Sequence, residues 1–166
     1  MGLWGFSVAV MSGTIETTAV ERIKMYKVSP ELYEAMQALS SAAAIDLDPD
    51  LAEMIKIRAS QLNHCAFCLD MHTYDARKRG INEQKLTLLP AWEEAGDLYS
   101  EQERAALALT EAITKLGERG VSDAVYSQAA AAFSERELGQ LIAMAVTING
   151  WNRIGVTTRL APPRRS

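Results

Sequence analysis

Residues 53–80 read EMIKIRASQLNHCAFCLDMHTYDARKRG, and this stretch decides the fold. It continues a helix that Asp48-Pro49 opens, because Asp accepts a free backbone N–H at the N-cap and Pro suits the first helical position. That helix is predicted to run through about Gln61. Asn63 can cap a second helix reaching Arg79, and Gly80 stops it, because glycine takes up the left-handed conformation without strain. Nothing in the stretch alternates polar and apolar residues with the period of two that a strand shows.

The same signals recur on both sides. Ser29-Pro30 repeats the cap-and-proline device ahead of a helix over residues 31–44. Residues 82–94 form a helical stretch broken by Pro90. Ser100 with Glu103 and Ser134 with Glu137 have the spacing of capping boxes, in which hydroxyl and carboxylate bond each other's backbone N–H groups. Residues 122–133 are alanine-rich and helical. From Leu138 to Ile154 apolar residues fall on nearly every face, which requires burial at the centre of the molecule or against another subunit. The reading is one all-α domain, a helical bundle able to form oligomers. An N-terminal extension over 1–25 is frayed or locally packed, and residues 161–166 are a disordered tail.

A chain of 166 residues fits one domain and can bury roughly 70% of its unfolded surface. The net charge of −4 gives no reason to expect nucleic acid or an anionic membrane as a partner. No apolar run approaches the roughly 20 residues that cross a bilayer. The first residues, MGLWGFSVAVMSGT, carry no Lys or Arg for a secretory signal. Gly2 suits myristoylation, but Phe6 stands where Ser or Thr is required. A cytoplasmic setting is expected, and there a close cysteine pair points to redox chemistry or metal rather than to a stapled secreted domain.

Both cysteines and both histidines of the chain fall within residues 64–72. At 3.6 residues per turn, Cys65, Cys68 and His72 share one helix face, so two thiols and an imidazole meet in one place. Either cysteine alone reads as a small buried hydrophobe. A zinc site of His64, Cys65, Cys68 and His72 would spread its ligands over roughly 12 Å of helix rise, too far for one tetrahedral ion. His64 therefore reads as a surface or capping residue. A structural disulfide across so small a loop would stabilise little. A redox centre uses all the parts. The attacking thiol stays open at this point: Cys65 would have the helix N-terminus and Cys68 the imidazole of His72. On its own helix Glu53 reads as a solvated carboxylate, and Asn149-Gly150-Trp151-Asn152 as interhelical packing.

With Glu53 the register becomes E-x11-C-x2-C-x3-H, carried by Glu53, Cys65, Cys68 and His72. In that pattern, in residues 53–80 and in the late run TINGWNRIG, the chain resembles the alkylhydroperoxidase D-like branch of the carboxymuconolactone decarboxylase family, over about residues 26–160. Some members of the branch carry His where this chain has Phe67. The resemblance implies an all-helical fold assembling as trimers or hexamers. It implies a peroxidase in which Cys68 is peroxidatic, Cys65 resolves, and Glu53 with His72 relays the proton. The implied partners are a hydroperoxide and an external dithiol of the thioredoxin or lipoamide type, with no metal or organic cofactor. A lactone decarboxylase of the same superfamily and a non-catalytic redox-sensing oligomer are the alternatives.

Overall fold

The computed structural model describes residues 22–164. The expectation for the N-terminal extension therefore lies outside the described residues as far as position 21, as do the last two residues of the tail. Among the described residues there is no strand, only an isolated bridge between Gly117 and Gly120. The described residues form eight α-helices in order: α1 (Met25–Val28), α2 (Pro30–Ala43), α3 (Pro49–Leu62), α4 (Ala66–Arg79), α5 (Glu83–Leu88), α6 (Glu101–Thr114), α7 (Asp123–Ala132) and α8 (Glu135–Thr158). A 3-10 turn over Leu89–Glu94 follows α5, and its backbone leaves helical geometry at Ala91, next to Pro90.

Most helix starts follow local chemistry. Asp48 accepts the Leu51 N–H at 2.8 Å, with Pro49 at the first position. Both predicted capping boxes form, at Ser100 with Glu103 and at Ser134 with Glu137. Gly80 closes α4 at φ 84°. Ser29 departs from expectation. It stands at the N-cap of α2, but its hydroxyl donates to the Glu31 carboxylate and caps no backbone N–H.

Helix α3 is the centre of the molecule, packed against α4, α6 and α8. Its Ile55 and Ile57 are fully enclosed with Leu107 and Leu109 of α6 and Leu141 of α8. The apolar character of α8 is thus partly explained within one chain. The rest of that character stays outside, with Val146 52% and Val156 46% exposed. No helix among the described residues is long and apolar enough to cross a membrane.

Candidate active site

The link between α3 and α4 places the cysteines. Asn63 ends α3, its N–H bonding the Ala59 carbonyl. His64 then turns the chain at φ 55° and is exposed, in keeping with a surface role. The Cys65 N–H reaches back to the Ser60 carbonyl at 3.0 Å. Helix α4 therefore begins at Ala66 with Cys65 as its N-cap residue. Two expectations are corrected here. Asn63 does not cap α4; its side-chain amide instead donates to Asn149 Oδ1 at 2.8 Å and Asn152 Oδ1 at 2.9 Å on α8. Cys65 consequently precedes the first helical turn, and Cys68 occupies that turn at its third position. The free N–H groups and positive dipole end thus favour an anion at Cys68. The imidazole of His72 lies one turn further along the same helix, so both activating influences converge on one thiol.

Cys65 and Cys68 are joined as a disulfide, their Cα atoms 5.4 Å apart. Both are almost fully enclosed, at 2% and 4% exposure, among Ala59, Ile148, Phe67 and Trp151. They differ in what they face. Cys68 lines a cavity of about 440 Å³, whereas Cys65 lies behind it and is not part of the wall.

Glu53 is not a solvated carboxylate. It is buried at 8% exposure, and its Oε2 lies 3.1 Å from His72 Nδ1. Its Oε1 accepts from the Lys56 ammonium one turn along α3. Burial pushes the Glu53 carboxyl up, but the His72 and Lys56 hydrogen bonds and the charges behind them outweigh it and hold it below its ordinary value of 4.5. An ionised Glu53 fixes the imidazole through Nδ1 and leaves Nε2 for the cavity that His72 lines. The α3–α4 packing thus brings together Glu53, Cys65, Cys68 and His72, and excludes His64.

Several wall residues escaped the sequence reading. Lys56 contributes a cation, and Tyr33 with Trp151 an aromatic side. The two rings meet edge to face at 4.9 Å, and the indole N–H donates to Ser40 Oγ at 2.8 Å, which fixes its orientation. The run Asn149-Gly150-Trp151-Asn152 was expected to be packing only. Asn149 and Asn152 are indeed interhelical links, to Thr114 and Ser60, but Trp151 faces the cavity. A tryptophan three residues after buried Ile148 on an over-apolar helix carries no signal of its own that would separate cavity from core.

Comparison with known proteins agrees with this architecture. Residues 30–112 match the carboxymuconolactone decarboxylase family. The chain is 39% identical over 137 residues to the uncharacterized protein YdfG of Bacillus subtilis, covering 82% of this chain and 92% of YdfG. Among solved structures, a protein of unknown function from Agrobacterium tumefaciens, proposed to be the antioxidant defence protein AhpD, is 37% identical. It superposes with a TM-score of 0.82 over 88% of this chain and 100% of its own. The debrominase Bmp8, in complex with 2,3,4-tribromopyrrole, shares the fold at 21% identity and a TM-score of 0.70, covering 80% of this chain and 71% of its own.

Proposed function

The chain belongs to the carboxymuconolactone decarboxylase family, in its alkylhydroperoxidase D-like branch, and on that premise we propose that it is a dithiol peroxidase. The observation that carries this reading is the division of labour in the pair. Cys68 faces the cavity from the first turn of α4, one turn from His72, while Cys65 stands behind it within bonding reach.

His72, held by Glu53, takes the Cys68 proton and stabilises the thiolate. The thiolate attacks the terminal oxygen of a hydroperoxide, the O–O bond breaks, and the alkoxide leaves as alcohol with the proton returned from His72. The Cys68 sulfenic acid then condenses with Cys65, forming the disulfide and releasing water. An external dithiol reopens it by exchange. The cycle runs on thiols and calls for no metal or organic cofactor. Because both sulfurs are enclosed and the cavity is the approach, a slim lipoamide-type dithiol suits the exchange better than a thioredoxin, whose thiol sits on a globular surface. A cytoplasmic location, where such dithiols are kept reduced, fits this chemistry.

The test is dithiol-dependent peroxide consumption followed over many turnovers with dihydrolipoamide. Cys68→Ser is expected to abolish it, and Cys65→Ser to permit one oxidation that stops at the sulfenic acid. Full turnover by Cys68→Ser would sink the proposal. Oxidation once per chain without turnover would identify a redox sensor instead, and lactone turnover surviving alkylation of both thiols a decarboxylase.

A further inference from the structure

Helix α8 carries Gly155 past the cysteine pair at very short range. A Cβ at this position would lie 3.0 Å from Cys65 Sγ and 3.7 Å from Cys68 Sγ. Even carbon atoms keep about 3.5–4.0 Å between them in good contact, so nothing larger than hydrogen fits here while the sulfurs stand where they do. The other glycines of α8 are unlike it. Gly139 has no neighbour within 4 Å of a Cβ, and Gly150 meets only the flexible end of Met36. A glycine in a helix interior is unfavourable relative to alanine, so local helix stability does not explain its presence. Nor can Cys65 Sγ turn aside while it is bonded to Cys68, because the disulfide fixes its rotamer among Ala59 and Ile148. Cys68 at least has the cavity.

The geometry points to Gly155 as a positioning residue of the thiol cycle, its missing side chain providing the space in which Cys65 Sγ closes onto Cys68 Sγ. This rests on the dithiol chemistry proposed above. In the closing step Cys65 sulfur attacks the sulfenic sulfur of Cys68. The S–S bond forms as the S–O bond breaks, and the departing hydroxide takes the Cys65 proton and leaves as water. A disulfide tolerates only narrow geometry, whereas a free thiol can rotate about its Cα–Cβ bond. A methyl group at position 155 therefore acts against the disulfide more than against the dithiol. Attack of Cys68 on peroxide, which takes place on the cavity side, is spared.

The measurement is the thiol–disulfide equilibrium of the full chain against oxidised and reduced dithiothreitol, read by alkylation and mass spectrometry without peroxide. Gly155→Ala is expected to move it about tenfold toward the dithiol, the scale of overpacking one methyl group. After one equivalent of peroxide, the same variant should hold its Cys68 sulfenic acid longer, as trapped by dimedone. Thermal melts supply the control for misfolding. Added to Cys65→Ala, where the clashing sulfur is gone, Gly155→Ala should cost nothing. A variant that melts lower in both backgrounds, or keeps the wild-type equilibrium, overturns the assignment. Because the equilibrium is read without peroxide, loss of the peroxidase reading would leave this result standing, and the converse holds.

Discussion

Glu53 owes its ionised state to two partners on opposite oxygens, and that arrangement has a pH signature. Its carboxyl lies below its ordinary value of 4.5 although burial works the other way, because the His72 and Lys56 bonds together outweigh burial. The folded chain thus binds this proton less readily than the unfolded chain. Where the unfolded chain binds more protons, stability rises with pH. The contribution of Glu53 is therefore complete above 4.5 and is lost as the pH falls through the lower, folded value. Glu53→Gln is expected to flatten the acid side of the melting-temperature profile below that point. It should also slow peroxide consumption by up to roughly a hundredfold, since an uncharged amide cannot stabilise the imidazolium. An unchanged acid limb in melts from neutral pH downward would contradict the pairing. His64, read from the sequence as a surface or capping residue despite its nearness to the cysteines, stands exposed in a left-handed turn between the two helices.

The short link between α3 and α4 does more than connect. Asn63 ties it to α8 through Asn149 and Asn152, and Asn152 in turn bonds Ser60 in the last turns of α3. Asn63→Ala removes the donor and strands an acceptor on the fully buried Asn152, a loss of about 2 kcal/mol. In a chain of this size that corresponds to a melting temperature lower by roughly 4–8 °C, measurable by calorimetry. A change under 1 °C would mean that water replaces the amide and the link stands without it. This element also marks where the sequence ceased to be legible. Asp48, Ser100, Ser134 and Gly80 act on neighbours three or four residues away, so their helix ends could be read locally. The start of α4 could not, because the partners of the Asn63 amide lie 86 and 89 residues away. The helix starts two residues later than its predicted cap, with Cys65 at the N-cap and Cys68 in the first turn, so the dipole no longer singles out Cys65.

Across the whole molecule, the all-helical class was legible because most of the helices carry a local start signal, whereas the cavity was not. Tyr33, Lys56, Trp151 and Gly155 come from three helices and meet only after packing, and none has a spacing that announces the others. The outer surface has an incomplete look of the same origin. Helix α2 exposes Leu32, Ala35 and Leu39 along one stripe at i, i+3 and i+7, and α8 leaves Val146 and Val156 about half exposed. Single exposed apolar residues are ordinary, but a stripe on one helix facing away from the core asks for a cover. With the trimers or hexamers implied by the resemblance, self-assembly is the expected cover. Sedimentation velocity at micromolar concentration should give three or six times the 18.2 kDa chain mass. Leu39→Glu should shift the population toward monomer, because a carboxylate sealed in an apolar contact is costly. The disulfide chemistry should survive that substitution, since Leu39 is absent from the cavity wall. A wild-type chain that sediments as a monomer would instead mean that the α2 stripe is stable in water uncovered.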